Sequence, residues 1–378
     1  MADVNEPRRP VRILYVLPSF SIGGIERQLV TIAPALIAHG FELHLATLFG
    51  YPGRVDLYGQ LPPSVTVHRF NLLGPRLLPG IAGFVGAVRK LKPDIVVASM
   101  SSGHYAASVA RSFCDFKLVL REHNAYTDKS WLHWRLDRGA ARRASRLVAV
   151  SAGVADYASA RSGITRSRYE VIPNGVDLAR QVPADPARRA AARAALGVPT
   201  DAAVVLHAAR LKPQKNQALL LDAFAALRRA RPEAVLLVAG DGSERAALER
   251  HATSLPLGAS VRFLGFVAEP ADLFAAADVA ALTSDREGFP NFLVEALASG
   301  LPVVTADVPG VAELRAAAEG SGAVTVAPRN VEQFAAALGT ALAAAPSLRG
   351  PARRAAESFD VRAIAECYAG LFRELAGR

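Results

Sequence analysis

The segment Glu287-Gly288-Phe289-Pro290-Asn291-Phe292-Leu293-Val294-Glu295 sets two carboxylates at the ends of a turn and an apolar run. Gly288 and Pro290 mark a loop, and the run after them predicts a helix whose first turn holds Asn291, Phe292 and Leu293. Amides of a first helical turn lack partners inside the helix, and the helix dipole adds positive potential. Facing a cleft, they can hold a diphosphate without a metal ion. Glu295 falls about two helical turns beyond Glu287. On a similar side of the segment, both carboxylates can accept hydrogen bonds from hydroxyls. A second group, Arg210-Leu-Lys-Pro-Gln-Lys215-Asn216, follows an apolar run. Its guanidinium offers a bidentate fork and its ammonium a point charge for phosphate oxygens, solvated surface cations being the plainer reading. A ligand with phosphates in its middle and hydroxyls at both ends, a sugar and a ribose joined by a diphosphate, gives these groups one purpose. No Asp-x-Asp occurs in the chain, so neither a metal nor a cofactor is expected.

Groups so far apart in sequence need a scaffold that gathers them. Apolar runs at 11–17, 42–48, 95–98, 117–120 and 147–150 read as strands, with helices at 26–39, 81–91 and 132–144 between them. Strands apolar at nearly every position and separated by helices predict a parallel sheet covered on both faces. A polar, Pro- and Arg-rich stretch, 178–199, reads as a hinge and linker. A second series of strands then follows at 204–207, 234–239, 261–265, 279–282, 302–305 and 323–326, and the last helix spans 361–375. Two doubly wound halves joined at one hinge should enclose a cleft, with ligands at the carboxyl ends of the strands. The expected domains are 1–177, 178–358 and a terminal helix, 359–378.

Composition bounds the rest. A chain of 378 residues exceeds what one hydrophobic core usually serves, and 51% apolar residues supply ample core. Only Cys114 and Cys367 are present, far apart, which argues against a disulfide framework and for a reducing compartment. The charged start, with Asp3, Glu6, Arg8 and Arg9, does not read as a secretory leader, and no apolar stretch is long enough to span a bilayer. The expected location is therefore cytoplasmic, with the inner face of the cytoplasmic membrane as the refinement. A net charge of +10 suits an anionic partner without choosing one. Arg138, Arg142, Arg143 and Arg146, and likewise Arg188, Arg189 and Arg193, read as solvated helix faces. Trp131 and Trp134 are expected in the core. Peripheral contact of the basic segment 131–146 with anionic lipid is the alternative.

The two glutamates with seven residues between them, in their Gly-Phe-Pro setting, resemble the hallmark of the family-4 retaining glycosyltransferases of the GT-B superfamily, the glycosyl transferases group 1. Further segments match across 11–375: Gly23-Gly24 with Glu26, Arg121-Glu122-His123-Asn124, Val150-Ser-Ala-Gly153, Ile172-Pro-Asn-Gly-Val-Asp177, Ala239-Gly-Asp-Gly242 with Arg245, and Leu264-Gly-Phe266. The resemblance implies an α/β GT-B fold of two Rossmann-like domains facing a central cleft, with the C-terminal helix crossing back to the first. It also implies roles. Glu287 would contact the transferred sugar, Glu295 the ribose, Arg210 and Lys215 the diphosphate, and His123 the sugar's surroundings. Gly24, Gly242, Phe266, Gly288, Phe289, Asn291, Phe292 and Leu293 would line the donor site. One departure stands out: Val97-Ala-Ser-Met-Ser-Ser-Gly-His104 lacks the histidine often found just after that strand, offering Ser99 and then His104.

The activity so implied is metal-independent, retaining hexosyl transfer from a UDP- or GDP-linked sugar to a hydroxyl acceptor. The basic first domain inclines the acceptor towards a lipid-linked saccharide or an envelope polysaccharide. The competitors are a nucleotide-sugar epimerase of similar fold, which would consume donor with no acceptor, and a noncatalytic nucleotide-sugar-binding protein. A nicotinamide dehydrogenase is disfavoured, since Ser19 to Gly24 stands where a GxGxxG would follow the first strand. Nucleic acid is not an expected partner, because only net charge favours it.

Overall fold

The structure, a computed structural model, describes residues 9–50, 55–72, 74–124 and 130–377; Asp3, Glu6 and Arg8 lie outside them. The chain divides into two compact units, Met1–Gly175 with Val361–Arg378, and Val176–Asp360.

The first unit is built on a seven-stranded parallel sheet. Its strands are β1 (Arg12–Leu17), β2 (Glu42–Thr47), β3 (Thr66–Arg69), β4 (Ile95–Ser99), β5 (Lys117–Glu122), β6 (Arg146–Ala149) and β7 (Tyr169–Val171). They lie in the order β3-β2-β1-β4-β5-β6-β7, doubly wound, with the winding reversing between β1 and β4. Every residue of β4 is buried, which is why a continuous apolar run encodes it. On one side, Ile13, Tyr15 and Leu17 pack with Leu29, Ile32 and Leu36 of helix Gly24–Ala38 and with Ile364, Tyr368 and Phe372 of the last helix, Val361–Ala376. Phe41 meets Phe372 edge to face at 5.6 Å, a favourable aromatic geometry. The chain thus leaves the first unit at Gly175 and returns to its core at Val361.

The second unit holds a six-stranded parallel sheet of β8 (Val204–Ala208), β9 (Val235–Ala239), β10 (Val261–Gly265), β11 (Val279–Leu282), β12 (Val303–Thr305) and β13 (Val324–Val326). The order is β10-β9-β8-β11-β12-β13, so the winding reverses between β8 and β11. Loops leaving such a switch point diverge and open a crevice at the carboxyl ends of the strands.

Three expectations need correction. The stretch read as linker contains the helix Pro186–Ala195, which Asp185 caps by accepting a hydrogen bond from the Arg188 amide at 2.8 Å. Nor is its arginine series a solvated face. Arg193 is 3% exposed, and it and Arg189 both pair with Asp278 at the start of β11. The opposite error concerns Trp131, which is 71% exposed rather than core. On the helix Trp131–Arg143 it is Asp137, Ala140 and Ala141 that face inward, and Tyr105 anchors that side through a 2.8 Å bond to Asp137. The buried face is thus small, two alanines and one aspartate, and the large apolar side chains Trp131, Leu132 and Leu136 stand outside among arginines, a departure from the usual amphipathic pattern. Among the described residues, no helix is long and apolar enough to cross a membrane.

Candidate active site

In the second unit, two loops leave the switch-point strands and are laced together. The loop after β8 carries Arg210 and Lys215, and the loop after β11 carries Glu287. The Asp285 amide donates to the Gln214 carbonyl at 2.9 Å, Gln214 Nε2 donates to the Arg286 carbonyl at 2.6 Å, and Asn216 Nδ2 bonds Asp285 Oδ1 at 3.0 Å. Beneath them Arg329, just past β13, donates to the carbonyls of Ser284 and Asp307 at 3.0 and 2.9 Å. The outcome is direct contact between two expected catalytic groups. Lys215 Nζ lies 2.5 Å from Glu287 Oε1, and Ser284 Oγ donates to the same oxygen at 2.7 Å. Arg210 is exposed, with no side-chain partner among the described residues.

A third loop closes on this pair from β9. A Cβ on Gly242 would sit 2.1 Å from the Leu211 carbonyl oxygen, so only glycine lets this backbone lie against the Arg210 loop. Similarly, Gly310, at φ +87, would place a Cβ 2.6 Å from the Gly288 carbonyl, and its bareness lets the Gly288–Phe289 turn fold in. Phe266, in the loop after β10, is 48% exposed.

The helix Asn291–Ala298 forms, but its start differs from expectation in two respects. The Asn291 amide donates to the Phe289 carbonyl at 3.0 Å and the Leu293 amide to Pro290 at 2.9 Å, so two of the three amides expected to be free are engaged locally. The reason is the tight turn that Pro290 imposes as the residue preceding the helix. In addition, Glu287 lies in the loop, so helical spacing does not relate it to Glu295; the lacing to Lys215 and Ser284 fixes it instead. Phe289 packs on Phe359 at 5.6 Å and Leu293 is fully buried, so any ligand contact they make is through backbone. The half-buried Phe292 stacks on Phe274 at 5.9 Å. Glu295 is half-buried on the helix.

The first unit holds the remaining candidates. Gly24 opens the helix Gly24–Ala38 at the end of the turn after β1. His123 follows β5, is 6% exposed, and its Nε2 lies 3.0 Å from Ser99 Oγ at the end of β4. Burial above all, then the neighbouring Arg121 and His104, pushes its pKa well below that of a free imidazole, so it is a neutral hydrogen-bonding group. Ser99 therefore occupies the strand end where a histidine was looked for and anchors His123. Met100 beside it turns through φ +63, a region that non-glycine residues rarely adopt. His104 is 1% exposed and faces the Arg121 carbonyl at 3.3 Å, away from solvent. Among the described residues, no group of three or more His, Cys, Asp or Glu side chains could hold a metal ion.

Gln214 and Arg329 escape a reading by motif because they act through backbone carbonyls of other loops, and Ser284 because its hydroxyl matters only through the local turn that brings it to Glu287. His207, on β8, is the other residue missed. Burial pushes its pKa down to about 4, outweighing the opposing hydrogen bond to Ala281. The unfolded chain takes up this proton near pH 6.5 and the folded chain does not, so folding stability falls as pH drops from about 6.5 towards 4. A shift of that size corresponds to on the order of 3 kcal/mol. Urea midpoints of the wild type should decline over that range, while those of His207→Gln should decline less; parallel curves would mean that His207 does not drive the loss.

Two family models match the chain: glycosyl transferases group 1 over residues 188–358, and glycosyltransferase family 4 over residues 22–180. The sequence is 39% identical over 228 residues to a D-inositol 3-phosphate glycosyltransferase of Geodermatophilus obscurus, covering 57% of this chain and 50% of that one. It is 29% identical over 303 residues to a glycogen synthase of Mycobacterium tuberculosis, covering 76% and 70%. The chain therefore spans about half the length of the first of these relatives. The crystal structure of HepE from Anabaena in complex with UDP superposes with a TM-score of 0.82 at 26% identity, over 96% of this chain and 100% of that one.

Proposed function

This chain belongs to the group 1, family-4 glycosyltransferases of GT-B fold, and from that premise we propose that it transfers a sugar from a nucleoside-diphosphate donor to an acceptor hydroxyl with retention of anomeric configuration. The observation that carries the reading is the laced pair of loops after β8 and β11 of the second unit, which joins the Lys215 ammonium to the Glu287 carboxylate and carries Arg210 with no side-chain partner among the described residues. Arg210 and Lys215 would take the diphosphate, Glu287 the transferred sugar and Glu295 the ribose. The half-exposed Phe266 would lie by the base.

In the reaction the bond from the anomeric carbon to the leaving phosphate oxygen breaks as the bond to the acceptor oxygen forms on the same face. The acceptor proton passes to the departing phosphate. Negative charge grows on that phosphate, and fixed cations aimed at it lower the barrier most. This chain's own contribution is Lys215 and Arg210, with no metal ion invoked.

A panel of UDP- and GDP-sugars tested by thermal melting checks the donor. One of them at about 100 times its Kd should add about 2.7 kcal/mol of stability. No shift with any donor would refute the reading. Product anomers resolved by NMR then decide retention against inversion. Donor loss without acceptor would favour the epimerase, and binding without turnover across acceptors a noncatalytic role.

One surface supports a lipid-linked acceptor. Leu77 and Leu78, Val109, Phe113, and Trp131, Leu132 and Leu136 are all exposed, and they lie on or beside three successively neighbouring helices, Leu77–Leu91, Met100–Ala110 and Trp131–Arg143. Arg135 lies over the Trp131 ring at 5.7 Å, with Arg142 and Arg143 on the same helix. Apolar side chains among arginines suit the headgroup layer of an anionic membrane. Cosedimentation with phosphatidylglycerol vesicles at low salt should retain the protein and lose it on Trp131→Ser with Leu136→Ser. No binding by the wild type would remove the membrane from the proposal.

A further inference from the structure

We propose that His207 is a positioning residue for the diphosphate-binding loop, acting through Gln217; the inference rests on the donor-site reading above. The starting point is the junction between β8 and β11. Their ladder pairs only Val205 with Val279 and Leu206 with Ala280, whereas β8 pairs with β9 over five positions. One residue further on, the strands part to send out the Arg210 and Glu287 loops. There the imidazole replaces the ladder, His207 Nδ1 lying 2.9 Å from the Ala281 carbonyl oxygen of β11.

The ring's other nitrogen faces Gln217 Nε2 at 3.3 Å, and that same amide nitrogen donates to the Arg210 carbonyl at 3.1 Å. Hydrogen-bond chemistry fixes the protons along this chain. A carbonyl oxygen only accepts, so Nδ1 carries the hydrogen. Nε2 is then a lone pair that accepts one of the two amide hydrogens of Gln217, leaving the second for Arg210. The relay is complete only with a neutral imidazole, as full burial and the nearby Lys215 also favour. Gln217 is itself 3% exposed, at the first turn of helix Gln217–Ala230. Phe292, at the start of the glutamate helix, packs edge-on against the imidazole at 6.2 Å. One ring thus touches the exit of β11, the residue that holds the Arg210 backbone, and the first turn of the helix bearing Glu295. No group in this relay meets a ligand; its effect is on where the Arg210 loop stands.

Titration calorimetry of the full chain with UDP and with GDP tests this. Binding of neither to the wild type defeats the donor-site reading and leaves the relay aside as a separate matter of loop geometry, so the two failures are distinguishable. With the wild type binding one of them, Gln217→Met, which keeps the shape and removes both donors, should weaken that affinity about tenfold through loss of roughly 1.4 kcal/mol. His207 is then split by two substitutions. His207→Asn keeps a donor towards Ala281 but offers Gln217 nothing, and should match the tenfold loss. His207→Gln offers an acceptor near the place of Nε2 and should bind within about threefold of the wild type. Rescue by glutamine and not by asparagine is the signature of positioning. Equal losses in both, tracking a drop in melting temperature, would make His207 a packing residue and overturn the proposal. Wild-type affinity in Gln217→Met would overturn it too.

Discussion

Alanine at Lys215 and alanine at Glu287 are expected to cost similar turnover while moving nucleotide affinity in opposite directions. Removing a fixed cation from a developing phosphate charge typically lowers turnover by about 10²–10³-fold. Lys215→Ala should also weaken UDP or GDP binding. Glu287 behaves differently because it competes for the same ammonium, its Oε1 lying 2.5 Å from Lys215 Nζ with both side chains largely buried. A diphosphate entering that space meets a spent cation and a repelling carboxylate. Glu287→Ala frees the one and removes the other, so free nucleoside diphosphate should bind about fivefold tighter, the equivalent of roughly 1 kcal/mol. Transfer should collapse nonetheless, since the group proposed to orient the sugar is gone. Calorimetry beside a turnover assay reads both. Weaker nucleotide binding in Glu287→Ala would mean that the carboxylate does not restrain Lys215, and near-normal turnover in either variant would remove that residue from the site.

The second large effect is on stability and falls at the opposite end of the same sheet. Asp278 accepts from the Val204 amide at 2.9 Å and pairs with Arg189 and Arg193, with Arg349 at 4.0 Å. Three guanidiniums share one carboxylate. Burial first, then the like charge of Arg189, pushes the pKa of Arg349 down, against the pull of Asp278. Asp278→Asn leaves those cations unopposed, and breaking a buried pair from one side costs about 3 kcal/mol or more. For a unit of this size that is a fall in Tm of about 10 °C. Sulfate should recover part of the loss in the variant more than in the wild type, because an anion can take the place of the carboxylate. A melting curve unchanged by Asp278→Asn would show that the arginines are held by backbone carbonyls alone.

What the sequence made readable follows from burial. β4 and β8 are apolar at nearly every position because both sheet faces are covered, and no other local pattern competes with that signal. β3, Thr-Val-His-Arg, is an edge strand with little to bury, and it left no such trace. The helix Met100–Ala110 was passed over because Ser, Gly and Ala offer no periodic contrast, although Gly103 is bare for a reason: a Cβ there would stand 3.0 Å from the Val16 carbonyl. The candidate site divides in the same way. Arg210, Lys215 and Glu287 announce themselves by charge and motif. His207 looked like the end of a strand, since its significance lies in Ala281, Gln217 and Phe292, which only the folded chain brings to it. Trp131 was misplaced because a large aromatic ring reads as core unless its neighbours are seen to turn the other way.

The return of the last helix bears on how the polypeptide is made. Val361, Ile364, Tyr368, Leu371 and Phe372 complete a core whose other members lie before Gly175. On a ribosome the amino-terminal half emerges first yet waits, with Ile32 and Leu36 short of their final partners, until some 180 further residues have been added. The half synthesised later is contiguous and can close before it. For this protein the order of emergence and the order of completion are reversed, and during that interval the unfinished sheet is the part most in need of a chaperone.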